Sequence, residues 1–122
     1  MYTISKRFAF SASHELTDLP TDHPCHRLHG HNYEVELVLA STNLDDTGFV
    51  VDYGRLDAFK QFLDACLDHR HLNDTLGAQP SAELLARWLF EWCSANVEPA
   101  IAERLRAVRV SETPRTWAEY AP

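Results

Sequence analysis

Glycine and proline are scarce in this sequence, with four Gly and six Pro among 122 residues. Average usage of the two together is roughly 12%, so collagen-like and low-complexity readings are excluded. Long apolar runs are missing too. The longest, Leu37–Ala40, has four residues, against the roughly 18 that a membrane-spanning helix needs. No basic segment leading into an apolar stretch opens the chain, so no secretory signal is read and a cytoplasmic domain is expected. Positive charge is in short supply: 11 Lys and Arg against 18 Asp and Glu leave a formal net charge of −7. Without a basic footprint, nucleic-acid binding is not expected, whereas an anionic small molecule would need a local basic pocket. Three cysteines, an odd number, do not form a closed disulfide set and suit a reducing compartment.

What remains is an ordinary globular composition, 45% hydrophobic and 24% charged, and its length predicts a single domain over residues 1–122. Tyr2, Ile4, Phe8, Phe10, Ala12 and His14 share one parity, as do His29, His31, Tyr33, Val35, Leu37 and Leu39, with Glu34 and Glu36 on the other. Period two over these lengths predicts two half-buried strands. The proline-containing stretch from Leu16 to Leu28 between them reads as a loop. Residues 55–67 switch to helical spacing through Leu56, Phe59, Phe62, Leu63, Cys66 and Leu67. A second helix is expected from Pro80, a favoured first-turn residue, with Glu83 placed for the helix dipole. Leu105–Glu112 returns to a strand pattern and Thr116–Tyr120 to a short last strand. The expected plan is α+β: a four-stranded antiparallel sheet with two helices on one face.

Seven histidines fall in two short regions, and the sharpest motif is Cys25-His26-Arg27-Leu28-His29-Gly30-His31. In a strand, positions i and i+2 point the same way, so His29 and His31 present their imidazoles together. His14 ends the first strand on the apolar parity. If the two strands pair, three imidazoles converge, the ligand set of a catalytic zinc with an open fourth position. Cys25, Cys66 and Cys93 are not spaced as a closed structural site, and Cys66 and Cys93 lie on apolar helical stripes as core fillers. Cys25 sits in the loop, as a free thiol or as a base or nucleophile whose thiolate a nearby metal would favour. Asp68-His69 follows the first helix, either as a proton relay or as a terminus complementing the dipole. Glu112 ends the third strand on the core-facing parity. A carboxylate there needs partners, either a donor–donor edge of a guanidine-like heterocycle or a salt bridge to Arg109 or Arg115.

Taken together, Phe10-Ser-Ala-Ser-His14, Cys25-x-x-x-His29-Gly-His31, Gly48-Phe-Val-Val-Asp52-Tyr, Leu67-Asp-His69-x-x-Leu-Asn73, Pro80-Ser-Ala-Glu83 and Val110-Ser-Glu112-Thr resemble the 6-pyruvoyl-tetrahydropterin synthase / 6-carboxytetrahydropterin synthase family. The resemblance implies His14, His29 and His31 as Zn2+ ligands, Cys25 as catalytic base and Asp68 with His69 as the partner proton-transfer pair. Glu112 would grip the amino-pyrimidine edge. The implied reaction is a lyase conversion of 7,8-dihydroneopterin triphosphate. The three-residue gap between Cys25 and His29 points to the branch forming 6-carboxy-5,6,7,8-tetrahydropterin, acetaldehyde and triphosphate, a step toward 7-deazapurines such as queuosine. The pyruvoyl-forming reaction, cleavage of a preformed tetrahydropterin side chain and an inactive pterin- or metal-binding module are the alternatives. The resemblance also implies a homo-oligomer, a trimer closing a β-barrel or two stacked trimers. Ser81 stands where Thr is commoner, and the Pro114–Thr116 turn is short. Lys6, Arg27, Arg109 and Arg115 are the cations available for the triphosphate.

Overall fold

A computed structural model describes residues 1–122. Strand β1 (Tyr2–His14) and strand β2 (His29–Ser41) pair antiparallel along their whole length, from Tyr2 opposite Ser41 to His14 opposite His29. Both alternate as the sequence predicts, and Phe8, Phe10, Tyr33, Val35, Leu37 and Leu39 are buried on one face. Phe10 stacks on Tyr33 with ring centroids 5.0 Å apart. Strand β4 (Leu105–Thr113) pairs antiparallel with β2, and β5 (Thr116–Tyr120) antiparallel with β4.

The sheet has a fifth member that the sequence reading did not anticipate. Residues Arg70–His71 form a two-residue strand, β3, parallel to β1, with Ala12 opposite Arg70 and Ser13 opposite His71. The sheet is therefore mixed, in the order β3-β1-β2-β4-β5. Two residues are too short to carry a period, so only the tertiary contact with β1 makes them a strand.

Helix α1 (Asp57–Cys66) follows a 3-10 turn at Tyr53–Leu56, which Asp52 caps by accepting from the Gly54 amide at 2.9 Å. A short helix α2 (Leu72–Leu76) follows β3 and ends on Gly77 at φ +66°, a left-handed position that glycine adopts without strain. Helix α3 (Ala82–Asn96) begins two residues later than the proline suggests. Ser81 is its N-cap, accepting from the Leu84 amide at 3.2 Å, and Pro80 precedes the cap. A final short helix α4 spans Pro99–Ala102. Helices α1 and α3 supply Phe59, Leu63, Leu85, Leu89 and Cys93 to the core over one face of the sheet. Burial pushes the Cys93 thiol up to about 12, so it is an inert core filler. Cys66, expected beside it, is exposed at the end of α1.

The helix-free face carries a second departure from simple alternation. Glu36, on the outward parity, is buried. It accepts from Ser5 Oγ at 3.3 Å, Arg7 Nε at 3.2 Å and Arg109 Nη1 at 2.8 Å. Both guanidiniums lie over the Trp117 ring, at 5.3 and 5.2 Å from its centroid. Burial alone would raise the Glu36 carboxyl, but the two guanidiniums outweigh it and hold the group below its ordinary value.

Candidate metal centre and active site

The β1–β2 register decides the site. Because His14 is opposite His29, and His31 lies two residues further on the same face, the three rings meet at one end of the sheet with centroids 4.5 to 5.0 Å apart. One nitrogen from each lies within 4.8 Å of the other two, so the group can hold a metal ion.

Hydrogen bonding assigns the protons. His14 Nδ1 is 2.9 Å from the Pro80 carbonyl and His29 Nδ1 is 2.6 Å from the Arg27 carbonyl. A carbonyl oxygen only accepts, so each Nδ1 carries a hydrogen and donates it. Each Nε2 is then a bare lone pair, and the two face each other at 2.8 Å. His31 Nε2 is buried and has no hydrogen-bond partner. The two lone pairs of His14 and His29 repel one another unless a cation lies between them, and the buried, unpartnered His31 Nε2 adds a third nitrogen to the same point. Three imidazole nitrogens are a donor set that suits zinc, which His14, His29 and His31 would hold together. Burial lowers the affinity of His14 and His31 for protons below the usual 6.5, which keeps them in the ligating form. The Pro80 and Arg27 carbonyls thereby serve as the outer partners that fix ring orientation. The Tyr33 hydroxyl, 3.2 Å from His14 Nδ1, closes the floor, and burial keeps its phenol protonated.

Glu112 takes neither of the expected salt bridges to Arg109 or Arg115. Its Oε2 lies 3.7 Å from His31 Nε2, beyond hydrogen-bond reach, in a cavity of about 1040 Å³ that also contains His31, Ser111, Asp68 and Trp117. Asp68 is held from two sides: Oδ1 accepts from the Ser11 amide at 2.9 Å, and Oδ2 is 2.9 Å from His69 Nδ1. These two contacts, the amide first, hold its carboxyl below the ordinary range. With Nδ1 engaged, His69 Nε2 is the nitrogen free for proton transfer, and its side chain is 84% exposed. The His69 backbone is left-handed at φ +58°, a strained conformation for a residue with a side chain. It is held there by the bond from its own amide to Ser11 O, at 2.6 Å. A second tie, between Asn73 and the Glu15 backbone at 2.8 and 2.9 Å, locks residues 68–73 along the end of β1.

Cys25 stands apart from this cluster. It lies in a 3-10 turn, Pro24–His26, half-buried and free. Its carbonyl accepts from the Leu16 amide at 2.9 Å and its amide donates to His23 Nδ1 at 3.1 Å. Its sulfur is not among the converging ligand atoms. Lys6, Arg27, Arg109 and Arg115 line neither the larger cavity nor the smaller one beside it. The smaller cavity instead contains Arg70 and His71, which sequence reasoning passed over inside the motif Leu67–Asn73. The available signal was that Arg70 is the one fixed cation in that polar stretch.

Comparisons with known proteins agree with this geometry. Residues 3–122 match the description of the family "6-pyruvoyl tetrahydropterin synthase". A relative from Synechocystis, named 6-carboxy-5,6,7,8-tetrahydropterin synthase, is 36% identical over 126 residues, covering 98% of this chain and 93% of its own. One of the same name from Bacillus subtilis is 28% identical, covering 99% and 86%. The solved Caenorhabditis elegans 6-pyruvoyl tetrahydropterin synthase superposes with a TM-score of 0.84 at 26% identity, over 99% of this chain and 95% of that one. With the sequence match spanning nearly the whole chain and the imidazole cluster at the end of its sheet, this chain belongs to the 6-pyruvoyl tetrahydropterin synthase family.

Proposed function

We propose that this protein is a zinc-dependent lyase that converts 7,8-dihydroneopterin triphosphate and one water to 6-carboxy-5,6,7,8-tetrahydropterin, with release of acetaldehyde and triphosphate. Lyase activity follows from its family. The observation that carries the metal-dependent reading is the convergence of three imidazoles, one ring nitrogen from each, beside Glu112. The carboxy-forming product is favoured by the names of the relatives and by the three residues between Cys25 and His29.

His14, His29 and His31 would hold the zinc. Bound there, the ion supplies Lewis acidity toward the hydroxyls of the substrate side chain and so acidifies the adjacent C–H bonds. Glu112 accepts the two N–H donors of the amino-pyrimidine edge, which orients the ring in the larger cavity. Cys25, as thiolate, is the base that removes a proton from the side chain. Asp68 fixes the His69 tautomer, so that His69 Nε2 takes or returns a proton on the other side. The ring is reduced by internal tautomerisation, and no redox cofactor is involved. The working form is a homo-oligomer, a trimer or a pair of trimers in which edge strands join into a barrel, and light scattering of the purified protein tests it. The placement in a queuosine-type 7-deazapurine route is part of the same proposal.

Incubation of the zinc-loaded protein with 7,8-dihydroneopterin triphosphate, followed by acetaldehyde assay and mass spectrometry, tests the reading. The expected product is the 6-carboxy compound. A pyruvoyl side chain would move the assignment to the sister activity, and no turnover by fully loaded protein would overturn it in favour of a binding module.

A further inference from the structure

The imidazole cluster and the relay account for His14, His29, His31 and His69, and His71 bonds to Ser13 and Glu15. His23 and His26 have no part in either group. Both are engaged in the loop that carries Cys25 between β1 and β2.

That loop closes just beyond the last pair of the β1–β2 ladder, His14 opposite His29. The Leu16 amide donates to the Cys25 carbonyl at 2.9 Å, which sets Cys25 at the mouth of the ladder, at the imidazole end of the sheet. The turn Pro24–His26 is capped by His23, whose Nδ1 accepts from the Cys25 amide at 3.1 Å. The far limb of the loop returns through Leu19, and there His26 Nδ1 lies 3.0 Å from the Leu19 carbonyl. A carbonyl only accepts, so His26 Nδ1 carries a hydrogen and donates it, whereas His23 Nδ1, facing an amide, is bare. The same ring atom is a donor in one histidine and an acceptor in the other.

The His26 bond is the one side-chain bond that crosses the loop. Apart from local turns, the limb 17–22 has a single other tie, from the Asp18 amide to Gln79 Oε1 at 2.9 Å. Cys25 and His26 are half-buried, while the other residues of 21–28 are exposed. With so little packing, hydrogen bonds decide where the turn stands, and an irregular loop held by few contacts opens readily. A reacting group displaced by about an ångström loses rate steeply.

We infer that His26 is a positioning residue for Cys25: by donating to the Leu19 carbonyl it cross-ties the loop and holds the thiol at the metal end of the sheet. The inference rests on the reading of Cys25 as the base. The ties engage the Cys25 backbone and not its sulfur, so they fix the residue and leave the thiol free to take a proton.

Hydrogen exchange of the Leu16 amide, whose acceptor is the Cys25 carbonyl, reads the tie without turnover. Steady-state kinetics of the zinc-loaded protein with 7,8-dihydroneopterin triphosphate reads its consequence. In His26→Ala, Leu16 exchange should quicken by about five- to tenfold, the scale of one lost hydrogen bond. kcat should fall by about tenfold or more while KM is unchanged, and zinc content should be unaltered because no ligand is touched. His26→Asn sets an amide N–H where Nδ1 stood and should restore both exchange and kcat. Unchanged Leu16 exchange in folded His26→Ala overturns the inference. So does a loss confined to KM, a loss that His26→Asn does not restore, or a parallel loss of zinc. If exchange responds as expected but the unaltered protein turns nothing over, the tie stands and the lyase reading fails.

Discussion

The middle and the end of the β1–β2 ladder are built alike and behave differently. In the middle, Phe10, Tyr33 and Val35 face the helices, and their contacts are satisfied by packing alone. A few residues on, the same face presents His14, His29 and His31, whose ring nitrogens cannot satisfy one another. Identical strand geometry thus yields a core where side chains are apolar and a chelating cluster where they are imidazoles. The lesson is that a binding site here costs the fold no change of backbone. It needs only outer carbonyls, at Pro80 and Arg27, to fix which nitrogen is bare.

Substitutions at the ladder's end have the largest expected effect. His29→Ala should abolish turnover and reduce bound zinc from about one per chain to near none, as measured by metal analysis, while far-ultraviolet circular dichroism stays unchanged. Retention of stoichiometric zinc would contradict the ligand assignment. Cys25→Ala should lower kcat by roughly 10²–10⁴-fold, the range for losing a general base, yet leave zinc content intact, because its sulfur lies outside the converging set. Parallel loss of zinc would make Cys25 a ligand. In the middle of the ladder, Leu37→Ala should cost about 2–5 kcal/mol of unfolding free energy in denaturant titrations. It should leave zinc affinity per folded molecule unchanged, since Leu37 is 1% exposed and remote in register from the histidines.

Acidity sharpens the same contrast. Burial lowers the proton affinity of His14 and His31 in the folded chain relative to the ordinary 6.5, so the unfolded chain binds protons that the folded one excludes. For the metal-free protein, stability is full above 6.5 and falls as pH drops through that value toward the lowered folded ones. Thermal melts at about pH 8 and about pH 5 should show it, and His31→Phe should shrink the difference. Glu36→Gln should give the smallest effect, about 1 kcal/mol, because Arg7 and Arg109 remain partly solvated.

Much of this was legible from residue order. Strand parity put His14 with Phe8 and Phe10, and His31 with Tyr33, and the structure buries Phe8, Phe10, His14 and Tyr33 and packs the His31 ring against His14 and Tyr33. Helix spacing located α1 and α3, although the proline misplaced the start of α3, because Ser81 and not Pro80 satisfies its first free amides. Parity misjudged Glu36: it faces outward from the helices but is covered by two arginines and a tryptophan supplied by β1, β4 and β5.

Local chemistry in the sequence by itself determined the alternation of the long strands and the motif that brings two imidazoles to one side. Both follow from the two-residue period of extended backbone, which needs no distant partner. Tertiary structure alone decided that residues 68–73 would lie along the end of β1, setting Asp68 on the amide of Ser11, 57 positions earlier, and leaving Arg70 without a carboxylate. Such contacts arise from how whole elements pack, and no local period encodes them.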